Sequence, residues 1–151
     1  MTFTSSNTIE NLPLQELTRA IFQRLDGNIF KLDGTTPIPV YDAFPDTLAE
    51  RWDYVEIAGF ELEPEPSSGR TGAFAYVGVL NIVSSYNGQR ELEGAVQQVN
   101  RYLNSKLSLT GFTDLGSNFR RVQAEKLAVE ENRVYRRATY RRRWVISDHK
   151  F

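Results

Sequence analysis

The chain has 151 residues, of which 40% are hydrophobic and 25% charged, and it contains no cysteine. This composition suits one globular domain with a real core. It excludes disulfides, thiol nucleophiles and thiolate metal sites, and no apolar run approaches the roughly 20 residues of a membrane span. The net charge of −1 conceals a polarity: residues 1–66 carry 12 acidic and 4 basic side chains, residues 67–151 carry 14 basic and 7 acidic ones.

The polar residues 1–11 lack a basic-then-apolar leader pattern and are expected to form a flexible N-terminal arm. A helix is predicted over 12–25, capped by Asn11, with Pro13 in its first turn and Leu14, Leu17, Ile21 and Leu25 on one face. Gly27 follows closely enough to serve in its C-terminal cap. After a Gly/Pro/Thr-punctuated stretch at 33–39 comes a short extended segment, 40–44. Residues 52–62, with Trp52, Tyr54, Val55, Ile57 and Phe60, read as a strand. Residues 63–71, rich in Pro and Ser, form a connector. The most apolar segment, 73–84, reads as a central strand buried on both faces, its β-branched content and Gly78 arguing against a helix.

A second helix is predicted over 91–107, where Leu92, Val96, Val99, Leu103 and Leu107 form one stripe and Glu91, Gln98, Arg101 and Asn104 lie off it. Residues 110–118 read as turns. Two strands follow, 119–129 and 134–146, joined by a turn near 130–132. In the last strand the even positions (Val134, Arg136, Ala138, Tyr140, Arg142, Trp144, Ile146) are mostly apolar. The odd ones (Tyr135, Arg137, Thr139, Arg141, Arg143, Val145) are mostly basic, the alternation of a half-buried antiparallel strand. Its thirteen residues would extend roughly 43 Å, so part of the hairpin is expected to project beyond the domain body. The element order predicts an α+β fold: a mainly antiparallel sheet with two helices packed on it and a long C-terminal β-hairpin, one domain over 12–147 and a disordered tail over 148–151.

No catalytic constellation stands out. His149, the one histidine, is third from the end, whereas a general base needs a fixed position. Asp42, Asp46, Asp53 and Glu56 form the best acidic cluster, but their spacing matches no metal motif and a solvated acidic surface is the better reading. A metal-dependent nuclease pairs Pro-Asp with an acid and a lysine one residue apart. Here Pro45-Asp46 is present, yet Glu125 and Lys126 are adjacent and would face opposite sides of a strand. No metal or cofactor is expected.

The charge polarity therefore carries the functional reading. It can serve pairing within one molecule, head-to-tail pairing between copies, or the holding of a polyanion. Arg120, Arg121, Arg133, Arg136, Arg137, Arg141, Arg142 and Arg143, interleaved with Tyr135, Tyr140 and Trp144, would suit a cytoplasmic nucleic-acid binder. The near-neutral whole favours pairing with the chain's own acidic half or that of a neighbour, and arginine suits bidentate contact with carboxylates. Candidate interface residues are Glu61, Glu63 and Glu65 on the acidic side and Arg136, Arg137, Arg141 and Arg143 on the basic side.

From about Leu14 to Ile146 the layout resembles the tail-terminator, or tail-completion, proteins of long-tailed bacteriophages. The carriers are RLDG (24–27), PIPVYDAFP (37–45), WDYVEI (52–57), the apolar strand at 77–84, GQRELEGAVQQVNRYL (88–103) and RRATYRRRWVI (136–146). The dense arginine and the Pro/Ser-rich insert depart from that pattern and leave room for another neck or head-completion component. The resemblance implies a non-enzymatic ring, typically of six copies, located in the virion after synthesis in the host cytoplasm. Such a ring caps the tail tube, meets the head-tail connector or stopper protein and lets genomic DNA pass through its lumen without specific binding. A closed ring repeats one heterologous interface, so each copy needs two complementary patches, which oppositely charged halves supply.

Overall fold

The structure, a computed structural model, describes residues 13–42, 53–63, 73–86, 88–130 and 133–147. The expected arm at 1–11, the Asn11 cap, most of the connector at 63–71, the 131–132 turn and the tail at 148–151 lie outside the described residues.

Helix α1, Leu14–Leu25, starts at Pro13 without a side-chain cap and buries Leu17, Ala20, Ile21 and Leu25. Leu14 is exposed, so the buried stripe begins one turn later than the spacing predicts. Gly27 ends the helix at a φ of +78°, a left-handed conformation that costs glycine little. The chain then crosses to β1, Val40–Tyr41, and β2, Tyr54–Leu62. Strand β3, Ala73–Ser84, covers the range read from the sequence.

Helix α2, Arg90–Leu103, is shorter than predicted. Leu107 is buried as expected of the stripe, but from the segment after the helix. Its backbone N–H donates to Asp114 Oδ2 at 2.8 Å instead of continuing the helical ladder. Beyond the helix end, the Arg24 guanidinium donates to the carbonyls of Tyr102 (3.0 Å), Ser105 (3.3 Å) and Lys106 (2.9 Å). A cation there suits the negative end of the helix dipole and satisfies carbonyls that the helix leaves unpaired.

Strand β4, Thr113–Glu130, begins six residues before the predicted strand. Irregularities at Asp114/Gly116, Phe119/Arg121 and Lys126/Ala128 let the pairing continue through residues that read as turn-formers. Strand β5, Arg133–Ser147, completes a five-stranded sheet of order β1-β2-β3-β5-β4, in which β1 and β2 are parallel and all other pairs antiparallel. The fold is α+β, with a mixed, mostly antiparallel sheet. Strand β3 pairs with β5 from Arg136 to Ser147, so only Arg133, Val134 and Tyr135 of β5 extend past it. The projecting part of the hairpin is short.

Both helices pack on one face of the sheet, around Val55, Ile57, Tyr76, Leu80, Ile82, Tyr140, Trp144 and Ile146. Gly78 makes that packing possible. A Cβ there would lie 2.5 Å from Trp144 Cζ3 and 2.9 Å from Phe60 Cε1, closer than any side chain tolerates. Its absence lets the Phe60 and Trp144 rings meet edge to face at 6.2 Å.

Candidate functional site

Because side chains alternate along a strand, register decides which arginines share a surface. Arg137, Arg141 and Arg143 lie on the helix-free face of β5, opposite Glu125, Arg121 and Asn118 of β4 and Val83, Val79 and Val77 of β3. Arg136 and Arg142 lie on the helix side, opposite Lys126 and Phe119. Glu125 and Lys126 accordingly occupy opposite faces, as their adjacency predicts.

The helix-free face carries the charged site. Strand β2 brings Glu61 opposite Val77, and the Glu63 N–H donates to the Ala75 carbonyl at 3.0 Å. Glu63 thereby reaches Arg143, whose Nε donates to its Oε1 at 2.5 Å, while Arg120 NH2 stands 3.6 Å from its other oxygen. The hydrogen bond from Arg143, reinforced by the charges of Arg143 and Arg120, holds the Glu63 carboxyl below the usual range despite some desolvation. The irregularity between Phe119 and Arg121 lets Arg120 face the same side as its neighbour. Arg137 pairs with Glu125 across the hairpin. Two sequence candidates, Glu63 and Arg143, therefore meet within one copy.

Arg141 and Arg121 are different. They face each other across the β4–β5 ladder and line a cleft of about 400 Å3 with Glu61, Leu62, Glu63, Val77 and Arg120. Neither has an ion-pair partner among the described residues. Glu65 lies outside the described residues. Arg136 lines a separate groove of about 700 Å3 between α2 and β4, with Leu92, Val96, Val122 and Ala138.

One of the arginines that the sequence groups with the exposed basic set is instead buried. Arg142 is 2% exposed, yet its partners are all neutral: Ser117 Oγ (2.7 Å), Asn100 Oδ1 (3.1 Å), Tyr140 Oη (3.1 Å) and Asn104 Oδ1 (2.9 Å). Asn100 stands in the last turn of α2 and Asn104 at its C-cap, so the guanidinium lies at the negative end of the helix dipole. Burial raises the Tyr140 pKa against the opposing effect of Arg142. An arginine amid the apolar positions of β5, together with Asn100 and Asn104 at helical spacing, was the available signal.

Tyr140 and Trp144 are fully buried and Tyr135 nearly so. A stacking platform for bases would need these rings exposed. Among the acids, Asp53 accepts from the Ser85 N–H and hydroxyl, both at 2.9 Å, and stands 3.4 Å from Lys31 Nζ. Glu56 accepts from Asn81 at 3.1 Å. They do not converge with Asp42, and no group of three or more potential metal ligands occurs among the described residues. Asp46 and His149 lie outside those residues. No described helix is long and apolar enough to cross a membrane.

No protein-family model matches the chain, and no curated protein matches it. Among solved structures, it is similar to a chain of the virion of a native gene transfer agent (GTA) particle. The two share 25% sequence identity and a TM-score of 0.66 over 88% of this chain and 96% of that one.

Proposed function

We propose that this protein is a structural component of a phage-like virion, where copies of it close into a ring, six in number, that terminates the tail tube and joins it to the head connector. The observation that carries the virion role is the similarity to nearly the whole length of a chain from an assembled particle. A second chain covered from end to end points to a shared building block rather than a shared motif.

The finer reading rests on the distribution of charge. A ring requires two unlike surfaces on each copy, one fitting the other. Here the first 66 residues carry 12 acids against 4 bases, and the remainder reverses the sign. Glu63 pairs with Arg143 and Glu125 with Arg137 inside one copy, which leaves Arg141, with Arg121 opposite it, to offer positive charge to a neighbour. Tail-tube and connector proteins are the partners on the two flat sides of the ring, and DNA passes through the lumen without being gripped.

Sedimentation velocity over a range of salt tests the ring. The protein is expected to self-associate in low salt and to fall apart as salt rises, because exposed charges are screened beyond about 8–10 Å at physiological salt. Glu61→Gln together with Glu65→Gln should weaken that association, Glu63 being paired with Arg143 and Arg120 inside its own copy. A monomer at every concentration and salt would overturn the ring. Micromolar binding of labelled DNA with a steep salt slope would favour the nucleic-acid binder instead.

A further inference from the structure

We propose that the cleft lined by Arg121, Arg141 and Val77 is a carboxylate socket for a second copy of this chain. The proposal rests on the ring reading and identifies which arginines do the docking.

Of the arginines on the helix-free face, most are neutralised at home. Arg143 and Arg120 share Glu63, and Arg137 holds Glu125. Arg121 and Arg141 remain, placed directly opposite one another on neighbouring strands. Like charges in that arrangement destabilise a sheet unless an anion comes between them. Lining one cleft from neighbouring strands, the two guanidinium groups offer donors of the planar kind that a carboxylate accepts. Val77 lines the same cleft and is 8% exposed, so an incoming carboxylate would meet an apolar side and a drier environment than open surface.

The composition of the cleft selects the partner. Three arginines (Arg120, Arg121, Arg141) stand beside two glutamates (Glu61, Glu63) in one small space. A phosphodiester chain would be repelled by the two carboxylates as it ran past the arginines. A single protein carboxylate inserted between Arg121 and Arg141 would complete an alternating network. The chain supplies such groups: its first 66 residues carry 12 acids. Of these, Asp26, Asp33, Asp42 and Glu61 are exposed and have no ion-pair partner among the described residues. Asp33 is engaged by Thr35 and Thr36 and Glu61 lines the cleft itself, which leaves Asp26 and Asp42. Asp42 directly follows β1, at the sheet edge opposite β4. Acid at one edge and socket at the other give the head-to-tail geometry that a closed ring repeats.

Sedimentation velocity in low salt on the full chain tests this with four proteins: wild type, the double variant Arg121→Glu/Arg141→Glu, the conservative Arg121→Lys/Arg141→Lys, and Arg101→Glu as a surface control on α2. Circular dichroism verifies that each variant is folded. The proposal expects the double reversal to weaken association at least about tenfold, the lysine pair to retain much of it, and the control to behave as wild type. An associating wild type with an equally associating double reversal overturns the socket and leaves the ring reading standing. Equal loss in the Arg101→Glu control overturns it too, since net charge alone would then explain the effect. A monomeric wild type overturns both. Anisotropy with a labelled DNA duplex closes the remaining route: micromolar binding by the wild type that the double reversal abolishes would assign the arginines to phosphate and overturn the socket.

Discussion

Arg142 donates to the side chain of Asn100 at 3.1 Å, and no carboxylate among the described residues is paired with this buried guanidinium. The charge is held by neutral oxygens and the C-terminal end of α2. Asn100 also accepts from Tyr140 Oη at 2.7 Å, so one amide ties the hairpin to the helix through two side chains.

Replacing Asn100 by leucine should therefore destabilise the fold by about 2–3 kcal/mol, because it removes one of the four acceptors around a buried guanidinium and the acceptor of the Tyr140 hydroxyl. Arg142→Met should cost less, since it removes the charge together with its need for partners. Urea unfolding of the two variants checks the order.

Gly78→Ala should cost about 1–3 kcal/mol by overpacking Trp144 and Phe60. Combining it with Phe60→Leu should return part of the loss, because the smaller side chain clears one of the two clashes. A double-mutant cycle by thermal or urea unfolding measures the coupling.

Glu16 predicts a pH dependence. Its pKa is lowered from 4.5 to about 2, mainly by the hydrogen bond from Arg19 and then by the Thr110 N–H, which donates to it at 2.7 Å. A folded-state pKa below the unfolded one stabilises above the unfolded value, and the contribution disappears as pH falls from about 4.5 through about 2. Wild type should thus be more stable than Glu16→Gln at pH 6, and the two should converge near pH 2. Thermal melts at both pH values test this.

Glu63→Gln should leave folding within about 1 kcal/mol, since the ion pairs it breaks are partly exposed. It should nonetheless change the helix-free face, because Arg120 and Arg143 lose their internal partner and join Arg121 and Arg141 as available cations. Binding of a short acidic peptide, read by fluorescence anisotropy, should therefore strengthen relative to wild type.

The helical and strand periods made α1, β3, α2 and β5 legible to within a few residues. The misreadings share one cause. Leu107 continues the apolar stripe of α2, but Asp114 takes its N–H. Residues 113–118 look like turns, yet pair with β5 through an irregular ladder. Both outcomes depend on partners separated along the sequence and brought together only by the fold, so no local pattern encodes them.

The same division runs through the site. Alternation along β5 determined by itself that Arg137, Arg141 and Arg143 share a face, because successive side chains of a strand point to opposite sides. Which of them is neutralised was decided only by the fold. Whether an arginine is spent within its own copy depends on the strand that the sheet places alongside it: β2 brings Glu63 to Arg143, β4 brings Glu125 to Arg137, and Arg141 receives another arginine.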